Sequence, residues 1–530
     1  MINKLELQAL LFEKDTCRTE LLSYVSTIEP SHRVAIYRNH SFELVENTIK
    51  PYLDYGGLNI DFLYSSYDDS LSFIELDTSV DAVVLWLDLS LYEMSNLSVF
   101  ILERVKYLRE IFDRNVLFIP CSTDISFDTS DFKIEQYSLT PIQDALGDQF
   151  FDLRMESFSG TKLSSKAILE VSRDLGLNYL PGLLKPNLKG VVVDLDNTLY
   201  RGVLGEDGVD GVELTDGHRE LQVKLKELSQ QGFFLSISSK NDEGDVLRLL
   251  DERKDFPLKS EDFVNIYANW ESKADSIASI AASLNIASDS LVFIDDNLGE
   301  LVSVLEKHPT INVIWAKDDA LLTFNVLSNF PGLLKLESKK EDSLRKGDVL
   351  ANKKRLEIQN SLSLESYIKE LNMELLFEID KLDVMARVSE LSNKTNQFIF
   401  SYQRYNAQQI KNLMDDDDSV VVAISLADRL SESGIIGVVV LRQCEDLALL
   451  EECFVSCRAL GRGIDQAIVL GGVSVAMQRL ELNRLKINFS KGERNAPAEK
   501  FVKQHFASHL KSDGVFEYQI PTDIIAVTIN

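Results

Sequence analysis

The sequence is poor in cysteine, histidine and tryptophan and lacks long apolar runs. Among 530 residues there are five cysteines, six histidines and three tryptophans. The cysteines lack the paired spacing of zinc sites, so we expect a reducing, cytoplasmic compartment. No run approaches the roughly 20 apolar residues of a membrane-spanning helix, and acids interrupt the first apolar stretch, so we expect no signal peptide. The cysteines are Cys17, Cys121, Cys444, Cys453 and Cys457.

Basic residues are also scarce relative to acidic ones. Lys and Arg number 55 against 84 Asp and Glu, which gives a net charge of −29. This charge argues against nucleic acid or an anionic membrane as a partner. It also predicts that an acidic ligand binds only where basic residues or a metal ion offset the negative charge of the protein. The composition, 45% hydrophobic and 26% charged, is that of a globular protein, and the length suits about three domains.

The pattern of apolar segments divides the chain into three blocks and a linker. Residues 1–180 and 185–330 each alternate strand-like runs with helical patterns, which predicts α/β domains with parallel sheets. Residues 331–368 are rich in Lys, Glu and Asp, which predicts an exposed helical linker. Residues 369–530 mix longer strands with helices and are typical of an α+β domain.

The stretch VVVDLDN at 191–197 brings two acids to the end of a buried strand. Strand alternation predicts that Asp194 and Asp196 point the same way. Ligands of open α/β sheets bind beyond the carboxyl ends of strands. Two carboxylates there repel each other unless a cation lies between them, and oxygen ligands of this kind suit Mg²⁺. A polar turn made by Asp196 and the following Asn and Thr is the alternative interpretation.

Three further motifs place polar groups at the ends of neighbouring elements. LVFIDDN ends a strand in Asp295 and Asp296, and FFLSISSKN supplies Ser239 and Asn241. WESKADSI places Lys273 in the first turn of a helix. A cation there is disfavoured by the helix dipole. A bound phosphate together with neighbouring acids would compensate for this unfavourable position. Helix capping is an alternative for Asn241 and for one of the two acids.

Taken in chain order, the four motifs resemble the haloacid dehalogenase (HAD) superfamily of aspartate-dependent phosphatases and phosphotransferases over residues 187–320. The resemblance implies a Rossmann-like parallel sheet at the centre of the chain. It implies that Asp194 is the nucleophile, that Asp196 is the general acid/base with its backbone carbonyl on Mg²⁺, and that Ser239 and Lys273 bind or neutralise the phosphoryl group. The implied metal set is Asp194, Asp196, Asp295 and Asp296, with Thr198 and Asn241 at the substrate.

Four longer segments resemble the FkbH-like subfamily over most of residues 185–505: RGVLGEDGVDGVEL, SSKNDEGDV, NKTNQFIFSYQRYN and FVSCRALGRGID. The resemblance implies removal of phosphate from 1,3-bisphosphoglycerate or a related acyl phosphate. It also implies loading of the glyceryl or hydroxyacyl group on an acyl carrier protein, in polyketide or surface-polysaccharide biosynthesis. Two positions depart from the pattern. Tyr200-Arg201 replaces Trp-Gly, and Ser238 stands where the family often has a Cys.

The segment RALGRG at 458–463 resembles the pyrophosphate loop of GNAT-type acyltransferases. That resemblance implies a GNAT-like C-terminal domain that binds CoA or the phosphopantetheine arm of a carrier. A simple strand-to-helix turn is the alternative. The implied ligand-binding residues are Arg458, Gly461, Arg462 and Gly463.

A basic run follows this loop, in an otherwise acidic chain. It predicts a docking surface for an acidic carrier protein supplied in trans, although a solvated helix and loop is the alternative. The Asp-Ser-Leu triplets at 69–71, 289–291 and 342–344 are interpreted as coincidences rather than carrier sites of the chain itself. The basic residues are Arg484, Lys486, Lys491, Arg494, Lys500 and Lys503, against Glu493 and Glu499.

The N-terminal block resembles SGNH hydrolases at one point, since VAIYRNHSFE places Ser41 after a first strand. The Gly-Asp-Ser context of that family is missing, and no histidine occurs between His40 and His218. A serine needs a base to act as a nucleophile. We therefore expect an SGNH- or flavodoxin-like domain that is catalytically silent and serves as a docking or scaffold module.

Two other functions remain open from the sequence. One is a Mg²⁺-dependent HAD phosphatase that acts on a small phosphate ester and is fused to an acetyltransferase-like domain. The other is a non-enzymatic scaffold in a biosynthetic complex, which the set of acids at successive strand ends argues against. In each enzymatic case the substrate is a small phosphorylated metabolite.

Overall fold

The structure is a computed structural model. It forms two compact units, Met1–Ile280 with Ala287–Ser338, and Ala281–Ile286 with Lys339–Asn530. Within the described ranges, none of the helices combines the length and apolar character that crossing a membrane requires. The structure describes residues 2–13, 18–92, 96–121, 134–154, 156–336, 348, 351–352, 354–355, 358–359, 361–456, 458–492, 495–510 and 512–530.

The first sheet has five parallel strands in the order β2-β1-β3-β4-β5. This order is that of flavodoxin-like doubly wound sheets, so the predicted α/β class is confirmed here. Helices pack around the fully buried strand β3. The strands are β1 (His32–Arg38), β2 (Ile60–Tyr64), β3 (Ala82–Leu87), β4 (Asn115–Pro120) and β5 (Glu135–Gln136). The helices are α1 (Ile2–Phe12), α2 (Arg18–Ser23), α3 (Glu43–Tyr55), α4 (Leu97–Ile111), α5 (Thr140–Leu146), α6 (Glu156–Ser159), α7 (Ser165–Asp174) and α8 (Leu180–Leu184).

The second sheet is also parallel, in the order β10-β9-β6-β7-β8. Its central strand β6 is the valine run of the first motif, and the predicted apolar face of Leu221, Leu225 and Leu228 is buried on this sheet. The strands are β6 (Gly190–Val193), β7 (Phe234–Ser239), β8 (Asn265–Ala268), β9 (Leu291–Asp295) and β10 (Asn312–Trp315). The helices are α9 (Leu204–Gly211), α10 (Asp216–Gln230), α11 (Glu243–Glu252), α12 (Lys273–Ser283), α13 (Leu298–Lys307) and α14 (Ala320–Ser328).

The third sheet has seven strands in the order β16-β15-β14-β13-β12-β11-β17. It is mixed, with antiparallel pairs except for β14 with β15 and β11 with β17, as the α+β prediction requires. The strands are β11 (Glu374–Ile379), β12 (Ser419–Ala427), β13 (Glu432–Cys444), β14 (Leu447–Val455), β15 (Arg484–Ile487), β16 (Gly514–Val515) and β17 (Ala526–Ile529). The helices are α15 (Leu364–Glu370), α16 (Met385–Lys394), α17 (Ala407–Met414), α18 (Asp465–Arg479) and α19 (Ala496–His505).

Two segments pack differently from what the sequence predicts. The first helix, α1, lies against the second sheet, and its Leu7 and Leu11 belong to that sheet's core. In the linker, Asp348 and Arg355 are buried in ion pairs, whereas Lys354 and residues 361–366 are exposed. The two buried charges are tolerated because they are paired. Residues 337–347 of the linker lie outside the described residues.

Candidate active site

The carboxyl ends of strands β6, β7 and β9 meet at one edge of the second sheet, because the three strands are parallel neighbours. The residues that follow or end them are Asp194, Ser239 and Asp295. All three are buried, and the backbone N–H of Asp194 still donates to the carbonyl of Ile294, at 2.9 Å. The continuous valine run thus delivers a carboxylate to the sheet edge with its backbone fixed.

Lys273 lies between two of these carboxylates. Its Nζ is 3.0 Å from Asp194 Oδ1 and 2.6 Å from Asp295 Oδ2, and the side chain is buried at the start of α12. Burial by itself would lower the pKa of Lys273, but Asp194 and then Asp295 outweigh it and raise the pKa above its ordinary value. The lysine is therefore a fixed cation. Its position in the first helical turn, which the dipole disfavours, is explained by the two acids.

Asp194, Asp295 and Asp296 form a cluster in which one ligand atom from each lies within 4.8 Å of the others. Burial raises the pKa of Asp295 to about 7, and the charge of Asp194 adds to the effect. The pKa values of Asp194 and Asp296 are also raised, chiefly by burial. One ammonium faces three carboxylates, so the cluster carries surplus negative charge. A hard divalent cation such as Mg²⁺ fits this set of oxygen donors.

Asp196 occupies a different environment from Asp194. Strand β6 ends at Val193, and Asn197 has a left-handed backbone with φ of 53°, so strand alternation does not extend to Asp196. Its Oδ1 accepts hydrogen bonds from the Tyr200 hydroxyl at 2.6 Å and the Leu204 N–H at 3.0 Å. The Asp196 carboxylate is not part of the three-acid cluster.

Asn241 connects the two halves of the site. Its Nδ2 donates to Asp196 Oδ2 at 3.0 Å and to Ser239 Oγ at 3.1 Å, and the Ser239 hydroxyl bonds to Asp194. A continuous network therefore runs from Asp196 through Asn241 and Ser239 to Asp194 and on to Lys273. With Asp295 and Asp296 of the three-acid cluster, the structure brings together seven of the residues that the sequence singled out.

Two other predicted positions at this edge contribute less directly. Ser238 is fully buried and precedes Ser239 in β7, so alternation places its side chain on the opposite face of the sheet. Ser238 therefore does not face Asp194. Thr198 is buried in the turn after β6, and among the described residues its hydroxyl has no hydrogen-bond partner.

Two residues that support the acids were missed by the sequence analysis, Tyr200 and Trp315. The indole N–H of Trp315 donates to the backbone carbonyl of Asp296 at 3.0 Å. Asn297 caps α13 through the Gly299 N–H, and its own N–H donates to Asp295 Oδ1 at 2.9 Å. Asn297 is therefore the helix cap, and both acids before it, Asp295 and Asp296, belong to the three-acid cluster. No signal in the sequence linked Trp315 to this site.

The loop 458–463 differs from the predicted anion site. Gly461 and Gly463 do have left-handed backbones, with φ of 82° and 75°. The guanidinium of Arg462, however, is buried and paired with Asp348 at 2.9 Å and Asp428 at 3.4 Å. The structure thus places Arg462 in an internal ion pair, and its role as a ligand for CoA or phosphopantetheine stays a prediction.

The surroundings of this loop are also occupied by the chain. A Cβ at Gly463 would lie 2.3 Å from Leu364 Cδ1, and Gln359 Nε2 donates to the Gly461 carbonyl at 3.3 Å. Asp465 adds an acid to the first turn of α18, where an anion would bind. Arg458 is buried after the loop's entry strand.

The basic run at 484–503 is partly neutralised. Arg484 pairs with Asp446 and Asp513, and both Lys491 and Lys503 pair with Glu499. Lys486 and Lys500 are exposed. Several predicted positions lie outside the described residues: Cys17, the triplet at 342–344, Cys457, Glu493 and Arg494.

In the N-terminal domain, Ser41 is not bonded to a histidine. Its hydroxyl donates to Glu43 Oε2 at 2.8 Å. His40 bonds Thr161 Oγ1 through Nδ1 at 3.0 Å and stacks on Trp86. Burial lowers the pKa of His40 to about 4. Within the described parts of the chain, Ser41 therefore has no histidine base within hydrogen-bond distance.

The chain was compared with known proteins. No protein-family model matches it, and no curated protein matches it. Among solved structures, the N-terminal part of a Bacteroides fragilis protein, containing a phosphatase domain complexed with Mg, is 22% identical, with a TM-score of 0.47; the match covers 62% of this chain and 99% of that one. A putative HAD family hydrolase from Streptomyces avermitilis is 13% identical, covering 28% of this chain and 94% of its own, with a TM-score of 0.21.

A GNAT-family acetyltransferase from Streptococcus pneumoniae is 14% identical and covers 25% of this chain and 83% of its own, with a TM-score of 0.20. The chain is thus distantly similar to HAD phosphatase and GNAT acetyltransferase structures. Because these likenesses are distant, the candidate site is assigned from its own geometry.

Proposed function

We propose that the protein is a Mg²⁺-dependent phosphoryl-transfer enzyme in which Asp194 is the nucleophile. The observation that carries the proposal is Lys273, a buried cation held between Asp194 and Asp295 within a three-acid cluster. Without a ligand that needs this charge balance, two buried carboxylates and the partly buried Asp296 would be costly to bring together. The position beyond the carboxyl ends of a parallel sheet is where such folds bind ligands.

In the proposed reaction Asp194 attacks the phosphorus atom, and the bond from phosphorus to the leaving oxygen breaks. Lys273 and the Ser239 hydroxyl contact the phosphoryl oxygens. Asp196, held by Tyr200 and Asn241, handles the proton at the leaving oxygen and then takes the proton of the water that hydrolyses the aspartyl phosphate. A bound Mg²⁺, held by Asp194, Asp295 and Asp296 and by the Asp196 carbonyl that the family resemblance implies, would neutralise charge in the transition state.

The finer proposal is that the substrate is 1,3-bisphosphoglycerate or a related acyl phosphate that also carries a phosphate ester. Asp194 removes the ester phosphate, and the thiolate of an acyl carrier protein attacks the acyl carbonyl, so that the bond from the acyl carbon to phosphate breaks, phosphate leaves and the acyl group is loaded as a thioester. The FkbH-like motifs over 185–505 support it. The carrier's arm would use Arg458 and the backbone of Gly461 and Gly463, without Arg462, and the exposed Lys486 and Lys500 would face the acidic carrier. The second candidate, a phosphatase for a small phosphate ester, uses the same Asp194 and needs no carrier.

The test is intact-protein mass spectrometry with Mg²⁺, 1,3-bisphosphoglycerate made in situ and a phosphopantetheinylated carrier from the same genomic neighbourhood. Asp194→Asn removes the nucleophile, and Asp245→Asn, an exposed acid on α11, is the matched control. We expect a glyceryl-sized mass gain on the carrier that only Asp194→Asn abolishes. Asp194-dependent phosphate release without the gain would favour the second candidate. Enzyme-dependent release of the ester phosphate that survives Asp194→Asn would overturn both.

A further inference from the structure

We propose that the N-terminal helix α1 is part of the metal centre, because Gln8 positions Trp315 and Trp315 positions Asp296. This inference rests on the proposed function, since it concerns the same acids. It assigns a role to a segment that lies in the N-terminal block of the sequence and far along the chain from the catalytic motifs.

The first step is the contact between Gln8 and the backbone of Trp315. Gln8 Nε2 donates to the Trp315 carbonyl at 2.9 Å, and the Trp315 N–H donates to Gln8 Oε1 at 3.1 Å. Strand β10 is at the edge of the second sheet, so these backbone groups have no further strand to pair with. The Gln8 amide, 2% exposed, takes the place of that strand.

The second step leads from Trp315 to the acids. The Trp315 indole N–H donates to the Asp296 carbonyl at 3.0 Å, and the N–H of the next residue, Ala316, donates to the Asp295 carbonyl at 2.9 Å. The end of β10 therefore holds the backbone of both adjacent acids of the cluster. Groups that orient metal ligands in this way affect affinity almost as much as the ligands themselves.

The third step is the firm attachment of α1 to β10. Leu7 and Leu11 are buried in the core of the second sheet. Beyond the C-terminal end of α1, Glu13 pairs with Lys317 at 2.6 Å, and the Lys317 ammonium lies 4.3 Å from the centre of the Trp315 ring. Apolar and charged contacts on both sides of Gln8 thus fix its amide in place.

The experiment measures Mn²⁺ binding to the EDTA-treated full-length protein, from loss of the free-ion electron paramagnetic resonance signal. Trp315→Phe keeps the ring and removes the indole donor, and Gln8→Met keeps the volume and removes both hydrogen bonds. We expect the dissociation constant to rise about tenfold in Trp315→Phe and in the same direction in Gln8→Met. The double variant should bind no more weakly than the weaker single variant, because the two residues act in series.

Trp86→Phe is the matched control, since it removes an indole donor to the Ser41 carbonyl in the first sheet without touching Gln8 or Trp315, and it should leave the dissociation constant unchanged. Gln8→Glu, which keeps the acceptor for the Trp315 N–H, should fall between wild type and Gln8→Met. If Gln8→Met does not fold, Gln8→Glu and Trp315→Phe still test the proposal. Equal binding by wild type, Gln8→Glu and Trp315→Phe would overturn this inference alone. If wild type does not bind Mn²⁺, or if Asp295→Asn binds it as tightly as wild type does, the metal site of the proposed function is overturned instead.

Discussion

The Tyr200 hydroxyl donates a hydrogen bond to Oδ1 of Asp196 across 2.6 Å. Tyr200 is completely buried, and it stands where the FkbH-like pattern has a tryptophan. The tyrosine that replaces this tryptophan therefore supplies a hydrogen-bond donor to Asp196, the acid that we propose transfers the proton. Such a bond to a carboxylate is stronger than one between neutral groups.

We expect Tyr200→Phe to lower kcat about tenfold with little change in KM, because Asp196 loses one of its three donors while the groups around Asp194 remain. Loss of a hydrogen bond to a charged group should also lower the free energy of unfolding by about 1.5–3 kcal/mol. Steady-state phosphate release and urea unfolding check the two effects. Tyr55→Phe is the control, since Tyr55 is buried in the same core and its hydroxyl has no partner among the described residues. An equal loss of kcat in both variants would show that Tyr200 acts only through packing.

We expect Asp296→Asn to change stability in opposite directions with and without metal. In EDTA the midpoint of thermal unfolding should rise, because two rather than three carboxylates then share the Lys273 ammonium. We expect Mg²⁺ to raise the unfolding midpoint of wild type, and this stabilisation should largely disappear in Asp296→Asn, because a metal ligand is lost. Asp275→Asn, on exposed α12 surface, should alter neither. An Asp296→Asn protein that Mg²⁺ stabilises as fully as wild type would contradict the metal assignment.

The N-terminal domain should lose stability on mild acidification through His40. Burial lowers the pKa of His40 from 6.5 to about 4, against the opposing charge of Asp88 and with smaller lowering effects from Lys162 and Arg38. The unfolded chain therefore binds the proton first, so stability is complete above pH 6.5 and falls as the pH drops towards 4.

His40→Phe, which preserves an aromatic ring on Trp86, should remove this part of the pH dependence. Between pH 7 and pH 5 the unfolding free energy of wild type should fall by about 2 kcal/mol more than that of the variant. Chemical unfolding at the two pH values measures the difference. Parallel pH profiles for the two proteins would show that His40 titrates normally.

Arg462→Met should destabilise the C-terminal unit rather than remove a ligand contact. It leaves Asp348 and Asp428, both buried, to share Arg355, and breaking a buried pair typically costs about 3–5 kcal/mol. Urea unfolding is the measurement. Arg429→Met, which breaks the exposed pair with Glu370, should cost less than about 1 kcal/mol. If Arg462→Met kept full stability, the ion pair would have no structural role and the ligand assignment would regain support.

The strands and the acids at their ends could be predicted because their signals are local. A valine run followed by Asp194, or an apolar run ending in Asp295 and Asp296, is readable within a few residues, and the parallel sheet brings those ends together. Lys273 was predictable for a related reason, since a cation at a helix start conflicts with the dipole and indicates an unseen partner.

The supporting contacts could not be predicted because they join distant residues without a local pattern. Arg462 and Asp348 are 114 residues apart, and Gln8 and Trp315 are 307 apart. The glycines of 458–463 correctly indicated a turn with left-handed backbone. The sequence did not show that Leu364 and Asp348 fill the space around them. The alternation of side chains along a strand also failed to predict the direction of Asp196, because β6 ends at Val193, three residues before it.

The attachment of α1 to β10 has a consequence for synthesis on the ribosome. Gln8 emerges 307 residues before the strand that it pairs with, which at about 5–20 residues per second is a delay of roughly 15–60 s. During this interval the apolar side chains Leu7 and Leu11 lack the sheet that covers them. The second sheet therefore closes over Leu7 and Leu11 only after β10 has left the exit tunnel.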